Sequence, residues 1–362
     1  MRHEPFASLE ELLAPGTLSR LVEYPVSSVH RLPFVGGHSA SGSSFLGIVT
    51  NDGQGPRFVV KLSSPACDWI VRGTADERGR EVLVWTTGLL DRLPPEITHP
   101  VVACAYDGAG WAILMHDISD DLLPDPLGET PITEANHWHY LDALAALHAT
   151  FWEQSEITDP ALGYCSPWHR YTVLSEESGW READHPNEVV RWIREGWNSF
   201  WMLVEPDVAA LLRQLLADPA LLCTAMARYP QTVIHGDPRG ANLGITNGFP
   251  PRVVLIDWHL VGPGLPGVDL AWYLLSTGGK VNVSRATAIS WYRERLALRL
   301  GSRFEERWWR PQLELSLLGE MLRSGWKFGW NIEHDPNDSV RTWAREGLAW
   351  WSEQAKDGAR WL

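Results

Sequence analysis

The feature that most constrains the fold is a change in hydrophobic periodicity near residue 115. Between residues 27 and 115, short β-like runs are separated by Gly, Asn and Asp turns, which is typical of strands. One stretch there, "ADERGREVLVWTTGLLDRL", has helical character. After residue 115, apolar residues recur at three- and four-residue spacing in "TEANHWHYLDALAALHATFW" and in segments around 187–217, 284–300 and 311–356. This change predicts an α+β chain with two lobes, a small β-rich N-lobe and a larger, mainly helical C-lobe.

The lobes are expected at residues 1–115 and 126–362, joined by a hinge or linker at 116–125. The N-lobe should hold an N-terminal helix, an antiparallel sheet and one further helix. The helical lobe contains one exception, "TVIHGDPRGANLGITNGFPPRVVLIDW", in which the turn Asn247-Gly248 joins two short β-like runs. A length of 362 residues fits two packed units or one large bilobal one.

Charge and composition exclude several classes of partner. With 31 basic against 45 acidic side chains the net charge is −14, which repels nucleic acid. The cysteines lack CxxC spacing, so neither a zinc site nor a disulfide framework is expected. The N-terminus has no apolar signal core, and no run reaches the ~18 apolar residues of a membrane span. We therefore expect a cytoplasmic protein with no membrane association.

The chain contains 21 tryptophans, crowded into its second half. Such residues usually pack between helices, but they also form walls that stack on a sugar ring or face a cation. Both interpretations remain open at this point.

A glycine- and serine-rich tip, "FVGGHSASGSSFLG", lies between two strand-like runs. Small residues let backbone N–H groups approach a phosphate closely. An ordinary hairpin turn is the alternative, because the strict GxGxxG spacing is absent. The candidate phosphate-binding residues are Gly36, Gly37, Ser39 and Gly42.

Lys61 follows an apolar run in "RFVVKLS", one hairpin after this tip. Phosphoryl transfer from a nucleotide needs a cation at the α and β phosphates, and Lys61 is the candidate. Glu81, twenty residues later, could fix the lysine through an ion pair, with Glu77 as the competing partner. A solvated strand lysine is the alternative.

The most specific pattern is His235-Gly236-Asp237, followed by Asn242 and, twenty residues after the aspartate, by Asp257. Two carboxylates and a carboxamide on adjoining β-segments suit one base and a two-ligand magnesium site, because magnesium prefers a few hard oxygens. Turn residues that cap one another are the alternative. Taken with the upstream lysine and glutamate, the ordered set favours phosphoryl transfer.

The motifs "HGDPRGAN", "LIDW" and "GVDLAWYL", with "ALAALHATFW" upstream, resemble those of the aminoglycoside phosphotransferase and choline kinase group of small-molecule kinases. The resemblance runs from about residue 27 to the C-terminus, and over the last 80 residues it lies only in helical character. It implies a bilobal protein-kinase-like fold. It also implies a Mg²⁺-dependent kinase that uses ATP or GTP to phosphorylate an alcohol group.

The resemblance also assigns roles. Asp237 would orient the acceptor hydroxyl and accept its proton, while Asn242 and Asp257 would hold magnesium. Lys61 would contact the α and β phosphates, and Glu81 would anchor it.

Other residues would support these. The hinge backbone would hydrogen-bond the adenine, at Met115, His116 and Ile118. His235 and Asp269 would brace the catalytic loop through its backbone, whereas His148 reads as core packing.

Arg239 has no fixed role in this pattern. We hypothesise that it is a catalytic residue that stabilises charge on the γ-phosphoryl group. A salt bridge to a nearby carboxylate is an equal alternative.

The acceptor should be a small molecule, because only eleven residues separate Asp257 from Asp269, too few for the segment on which protein kinases dock a polypeptide. Acidic and tryptophan-rich C-terminal helices, including "FEERWWRPQLELSLLGE" and "WKFGWNIEHDPND", are expected to wall the site over Asp237. Such walls suit an aminoglycoside, an amino sugar or a choline-like amine, and an antibiotic-resistance role is one possibility. A neutral sugar or nucleoside also fits, and the alternatives of another class are a catalytically idle nucleotide-binding module and a protein kinase.

Overall fold

The computed structural model of the chain describes residues 3–34, 39–122 and 131–362. It has the predicted α+β architecture, with a small antiparallel sheet in the N-terminal part and a larger helical part after it. The five strand-like runs expected before residue 115 all form strands. Their order in the sheet is β1-β2-β3-β6-β5. The strands of this part are β1 (Val29–Pro33), β2 (Ser44–Thr50), β3 (Arg57–Ser63), β4 (Ile97–Thr98), β5 (Val101–Asp107) and β6 (Gly110–His116).

Strand β3 lies at the centre of the sheet, which explains its composition. It pairs with β2 on one side and β6 on the other, and four consecutive residues of it are buried. Consecutive residues of a strand point to opposite faces, so this burial shows that both faces of β3 are covered, which is typical of a nearly continuous apolar sequence. Lys61 interrupts this run and is itself buried, so its ammonium requires partners inside the protein.

The helices of the N-terminal part are shorter and more numerous than predicted. They are α1 (Leu9–Leu12), α2 (Pro15–Leu21), α3 (Trp69–Gly73) and α4 (Arg80–Thr86). The single helix expected over "ADERGREVLVWTTGLLDRL" is reduced to α4 and one short 3-10 turn, Leu90–Arg92. Gly79 and Gly88 flank α4 with φ angles of 73° and 72°, a left-handed conformation that a helix cannot contain.

The helical part contains the four predicted segments and several shorter helices. Those described are α5 (Glu134–Thr150), α6 (Pro167–Thr172), α7 (Glu176–Arg181), α8 (Glu188–Leu203), α9 (Pro206–Ala217), α10 (Ala220–Met226), α11 (Pro266–Ser276), α12 (Arg285–Leu300), α13 (Glu306–His334) and α14 (Asp338–Ala359). Helix α13 is central, because α8, α11 and α14 all pack against it.

Glycines set the close crossing of α8 and α13. A Cβ atom on Gly196 would lie 2.2 Å from the carbonyl oxygen of Trp326, and one on Gly329 would lie 2.0 Å from that of Gly196. No side chain fits in either place, so the two backbones are in contact. Helix α13 also reaches the predicted catalytic loop, residues 235–242, where Arg323 donates to the carbonyl of Gly236.

Two small sheets hold that loop. The strands are β7 (Thr232–Ile234), β8 (Leu243–Ile245), β9 (Val253–Leu255) and β10 (Gly262–Gly264). Strands β8 and β9 form the predicted antiparallel hairpin, and β4 adds to β9 in parallel. Strand β10 pairs antiparallel with β7. The ends of three strands therefore surround residues 235–242.

Among the described residues, no single helix has the length and apolarity to cross a membrane. The pair Pro206–Ala217 and Ala220–Met226 meets the criterion only when taken together, and it is bent by 90°.

Candidate active site

Lys61 pairs with Glu81, as predicted, and also with a residue far along the chain. Its Nζ lies 2.7 Å from Oε2 of Glu81 on α4 and 2.5 Å from Oδ1 of Asp257, which follows β9. Glu77, the competing partner in the sequence, is exposed. The lysine thus joins the N-terminal sheet to the segment after β9.

The electrostatics of this group favour the charged forms of Lys61, Asp257 and His259, whereas burial raises the pKa of Glu81 against the opposing effect of Lys61. Burial alone would lower the pKa of Lys61, but Asp257 and Glu81 raise it above its usual value. Burial would raise the pKa of Asp257, yet His259 and Lys61 hold it well below the usual range. Nδ1 of His259 lies 2.7 Å from Oδ1 of Asp257, and this carboxylate raises the pKa of the imidazole against burial, which lowers it. We call Lys61, Glu81, Asp257 and His259 the Lys61 cluster.

The catalytic loop begins with a tight turn after β7. Gly236 has a φ of 84°, and a Cβ there would lie 2.4 Å from the carbonyl oxygen of Leu260, so only glycine fits. His235 braces the turn on two sides. Its Nε2–H donates to the carbonyl of Ile256 at 3.0 Å, and its Nδ1 accepts from the backbone N–H of Asp237 at 3.2 Å.

Asp269 holds the same turn from α11, as expected of a bracing residue. Its carboxylate accepts from the backbone N–H groups of His235 at 2.7 Å and Gly236 at 2.8 Å. It is fully buried. Burial would raise its pKa, but the hydrogen bond from His148 leads the effects that lower it below the usual value.

The sequence predicts that His148 packs in the core, and this prediction is incomplete. The side chain is fully buried, but Nε2 lies 3.1 Å from Oδ2 of Asp269 and Nδ1 lies 2.5 Å from the hydroxyl of Tyr292. A buried imidazole needs partners for both nitrogens, and here they form a polar network under the catalytic loop.

Three side chains surround the carboxylate of Asp237. Trp272 Nε1–H donates to Oδ1 at 2.6 Å, and the amide nitrogen of Asn242 donates to Oδ2 at 2.9 Å. Nε of Arg239 lies 3.3 Å from the same Oδ2. The salt bridge considered for Arg239 is therefore present, with Asp237 itself as its partner, and the catalytic role of Arg239 remains a prediction.

The donor set beside Asp237 fits a divalent cation. Asp237, Asp257 and His259 each offer one ligand atom, and these atoms lie within 4.8 Å of one another. Asn242 directs its amide nitrogen at Asp237, which leaves its amide oxygen able to meet a cation. Oxygen donors of this kind suit Mg²⁺. Only the neutral imidazole of His259 could bind a cation, and its pairing with Asp257 raises its pKa against the effect of burial.

Helix α13 reaches the same loop with charged side chains that the sequence did not single out. Nη1 of Arg323 donates to the carbonyl of Gly236 at 3.0 Å, and Glu320 lies 3.8 Å from Arg323. Arg323 and Lys327 both lie over the indole of Trp272, at 4.6 and 4.3 Å from its centroid.

The expected acidic and tryptophan-rich wall is therefore wrong in its details. Trp308 and Trp309 are buried in the core, 5% and 6% exposed, and do not line the site. The indole that touches Asp237 belongs to Trp272, on α11. The helix expected to present acids, α13, presents the cations Arg323 and Lys327 there, together with the acid Glu320.

The remaining predicted nucleotide-binding residues have structural contacts of their own. Gly36 and Gly37 lie outside the described residues. Oγ of Ser39 accepts from the N–H of Gly42 at 2.9 Å, and a Cβ on Gly42 would lie 2.1 Å from the carbonyl oxygen of Cys67. Gly42, with φ 109°, is therefore required by the chain itself, whether or not it meets a phosphate.

Part of the predicted hinge backbone already forms hydrogen bonds within the chain. Met115 pairs with Val59 of β3, and the N–H of His116 donates to the carbonyl of Pro100 at 2.9 Å, so it is not available to a nucleotide base. The carbonyl of Ile118 accepts from the N–H of Asp121 at 2.9 Å.

Comparison with known proteins agrees with this geometry. A family model described as the phosphotransferase enzyme family (APH) matches residues 40–311. No curated protein matches the sequence. An ethanolamine kinase from Plasmodium vivax is 12% identical, with a TM-score of 0.51, and the match covers 90% of this chain and 82% of that one. A choline kinase from Cryptosporidium parvum is 10% identical, with a TM-score of 0.51, and covers 92% and 90%. At this identity the two structures establish the fold, while the family match spans most of the chain, from before Lys61 to beyond Asp269.

Proposed function

Because the chain belongs to the phosphotransferase enzyme family, we propose that it transfers the γ-phosphoryl group of ATP or GTP to a hydroxyl of a small polar acceptor. The observation that carries this proposal is the braced carboxylate of Asp237, which lies within 4.8 Å of Asp257, the partner of Lys61. Phosphoryl transfer depends on positioning and charge more than on covalent chemistry, and this arrangement supplies both.

Asp237 is the proposed catalytic base. Its carboxylate orients the acceptor hydroxyl and takes its proton as the oxygen forms a bond to the γ-phosphorus. The bond between that phosphorus and the β,γ-bridging oxygen breaks, and the nucleoside diphosphate leaves. The hydrogen bonds from Trp272 and Asn242 support this role, because they hold the two carboxylate oxygens in fixed directions.

Lys61 is proposed to contact the α and β phosphates, with Glu81 and Asp257 holding its ammonium in place. Asn242 and Asp257 are the proposed magnesium ligands. A bound Mg²⁺ would neutralise charge on the nucleotide phosphates. Arg239 is proposed to leave its pairing with Asp237 and to stabilise charge on the γ-phosphoryl group when substrates are bound.

The acceptor is proposed to be a small molecule, since the short segment between Asp257 and Asp269 has little room to dock a polypeptide. The amine acceptor expected from composition loses part of its basis, because the buried Trp308 and Trp309 cannot wall the site. Amines and aminoglycosides therefore form one arm of the test.

The experiment is an acceptor screen with coupled detection of ADP or GDP. It covers aminoglycosides, amino sugars, choline, nucleosides, neutral sugars and hydroxy acids, with magnesium and either nucleotide, against wild type and Asp237→Asn. The proposal predicts acceptor-dependent release that Asp237→Asn loses. Magnesium-dependent nucleotide binding without turnover on any acceptor would favour the catalytically idle module, and labelling of whole-cell protein would favour a protein kinase.

A further inference from the structure

The side of Asp237 that faces α11 and α13 carries a local charge opposite to that of the whole chain. Three cations lie there, together with the carboxylates of Asp237 and Glu320. The cations are Arg239, Arg323 and Lys327. We call these five residues the Lys327 cluster. The chain as a whole carries −14, so this is a positive site in an acidic protein.

Two of these cations have carboxylate partners. Arg239 lies 3.3 Å from Asp237, and Arg323 lies 3.8 Å from Glu320. Among residues 3–34, 39–122 and 131–362, no carboxylate oxygen lies within 4.0 Å of the ammonium of Lys327, whose close contacts are the indole rings of Trp272 and Trp326.

The indole of Trp272 connects this unmatched ammonium to the catalytic base. Its Nε1–H donates to Asp237 at 2.6 Å, while Lys327 Nζ lies 4.3 Å from its ring centroid. The ammonium and the carboxylate that receives the acceptor therefore both contact the same indole ring. The side chain of Lys327 is half-buried, so part of it remains open to solvent.

The charge of Lys327 is costly where it lies. Burial, and then the nearby Arg239, lower its pKa to about 8, against the opposing effect of Asp237 and Glu320. An anion placed against this ammonium would offset the desolvation of the charge and would gain a charge-assisted hydrogen bond. Lys327 is thus better suited to binding an anion than to pairing within the chain.

We infer that Lys327 binds an acidic group of the acceptor, a carboxylate or a phosphate ester, so that the acceptor is a hydroxylated acid instead of an amine. This inference rests on the proposed function. The other source of the same chemistry is the transferred phosphoryl group itself. The contacts favour the acceptor, since the indole of Trp272 that Lys327 covers donates to Asp237, the proposed base, whereas Lys61 is held by Glu81 and Asp257.

The acidic surface does not oppose such an acceptor strongly. Charges more than about 8 Å apart are largely screened at physiological ionic strength. The local charges of the Lys327 cluster therefore determine which group binds, while the distant acidic residues affect mainly the rate of encounter.

The test compares acceptors that differ only in an acid group: glycerate with glycerol, gluconate with glucitol, and glucuronate with glucose. Each is assayed by nucleoside diphosphate release and by the shift in Tm that it produces in the presence of nucleotide and magnesium. The variants are Lys327→Met, Lys327→Arg and the control Lys356→Met. Lys356 lies on α14, far from the loop, and forms a partly exposed ion pair with Glu205.

In wild type and Lys356→Met we expect the acid of at least one pair to be preferred in both assays. In Lys327→Met the KM for that acid should rise roughly 10- to 100-fold, the range for loss of one hydrogen bond to a charged group, while the KM for nucleotide stays unchanged. Lys327→Arg should restore most of the affinity.

The inference is overturned if no acid is preferred in either assay, or if Lys327→Met leaves the KM for the acid unchanged. It is also overturned if Lys327→Met lowers kcat equally for all acceptors at constant KM, which would assign the lysine to the transferred phosphoryl group. Turnover of amines or neutral alcohols that depends on Asp237 would leave the proposed function standing and remove only this inference.

Discussion

The two sides of Asp237 differ in how completely their charges are paired. In the Lys61 cluster, Lys61, Asp257 and His259 are joined at 2.5 to 2.7 Å, and Glu81 completes the group at 2.7 Å. In the Lys327 cluster, the two ion pairs are longer, at 3.3 and 3.8 Å, and Lys327 has no carboxylate within 4.0 Å among the described residues.

This difference indicates two ways of preparing a binding site. A cluster whose charges are already satisfied is held rigidly and suits a ligand that is the same in every reaction, such as a nucleotide phosphate. A cluster with an unmatched charge gains most when the ligand itself brings the opposite charge, and so it selects among acceptors. The catalytic loop lies between the two.

The largest expected effect is the loss of stability caused by a substitution at Asp269, because its carboxylate holds the backbone of the loop on which both clusters depend. Asp269→Asn places an amide N–H₂ opposite one of the two backbone N–H groups, that of His235 or that of Gly236, which then loses its acceptor. We expect the free energy of unfolding to fall by about 3–5 kcal/mol, the cost of breaking a buried charged network. Chemical denaturation measures it.

The matched control is Asp142→Asn. This carboxylate pairs with Arg295 and Arg299 but is 24% exposed, so we expect a loss of less than about 1 kcal/mol. Equal effects of the two substitutions would contradict the bracing role of Asp269.

Lys61→Met tests the fully paired cluster. Removal of a positioned cation from a phosphoryl-transfer site costs on the order of 10²–10³ in kcat, and we expect kcat/KM for nucleotide to fall by that factor. Lys356→Met should leave it unchanged. If Lys61→Met affected only the KM for the acceptor, the division between the clusters would be wrong.

Arg239→Ala tests the residue that lies between the two sides. If Arg239 meets the γ-phosphoryl group, kcat should fall by roughly 10- to 100-fold with little change in either KM. A variant that keeps its kcat would leave Arg239 with only its ion pair to Asp237.

The smallest effect concerns pH. Because the pKa of Lys327 is about 8, its ammonium is charged below this pH and loses its proton above it. The KM for an acidic acceptor should therefore rise by up to about tenfold per pH unit above pH 8. It should not rise below that pH, where protonation of Glu320, whose pKa burial raises to about 7, removes a competing negative charge. The charged groups that act on Lys327 are Asp237, Arg239, Glu320 and Arg323. A neutral acceptor, or Lys327→Met, should show no such rise.

Much of the Lys61 cluster could be predicted from the sequence, because its residues lie in local patterns. Lys61 follows an apolar run, Glu81 begins a helical stretch, and Asp257 ends another strand. His259 was missed although it lies two residues after Asp257, since nothing in the spacing shows that the imidazole turns back onto that carboxylate.

The Lys327 cluster could not be predicted, because it depends on tertiary packing. Lys327 lies 90 residues beyond Asp237 in sequence. It lies on α13, which crosses α8 in backbone contact at Gly196 and Gly329, and sequence spacing does not show this crossing. The sequence likewise assigns no role to Trp272, although it lies in the motif "GVDLAWYL". The predicted length of α4 was wrong for a similar reason. The glycines that flank this helix adopt left-handed conformations, which hydrophobic periodicity does not detect.

The most direct test of the account is the transfer of radiolabel from γ-labelled ATP to a small-molecule acceptor by wild type and Asp237→Asn. Loss of a positioned base should lower kcat by about 10²–10⁴, while nucleotide binding stays close to wild type. Tm should fall, because the amide offers one acceptor oxygen where the carboxylate offers two to the N–H donors of Trp272 and Asn242. Label transfer at an unchanged rate in the variant would show that Asp237 is not the base, and would contradict a catalytic site between the two clusters.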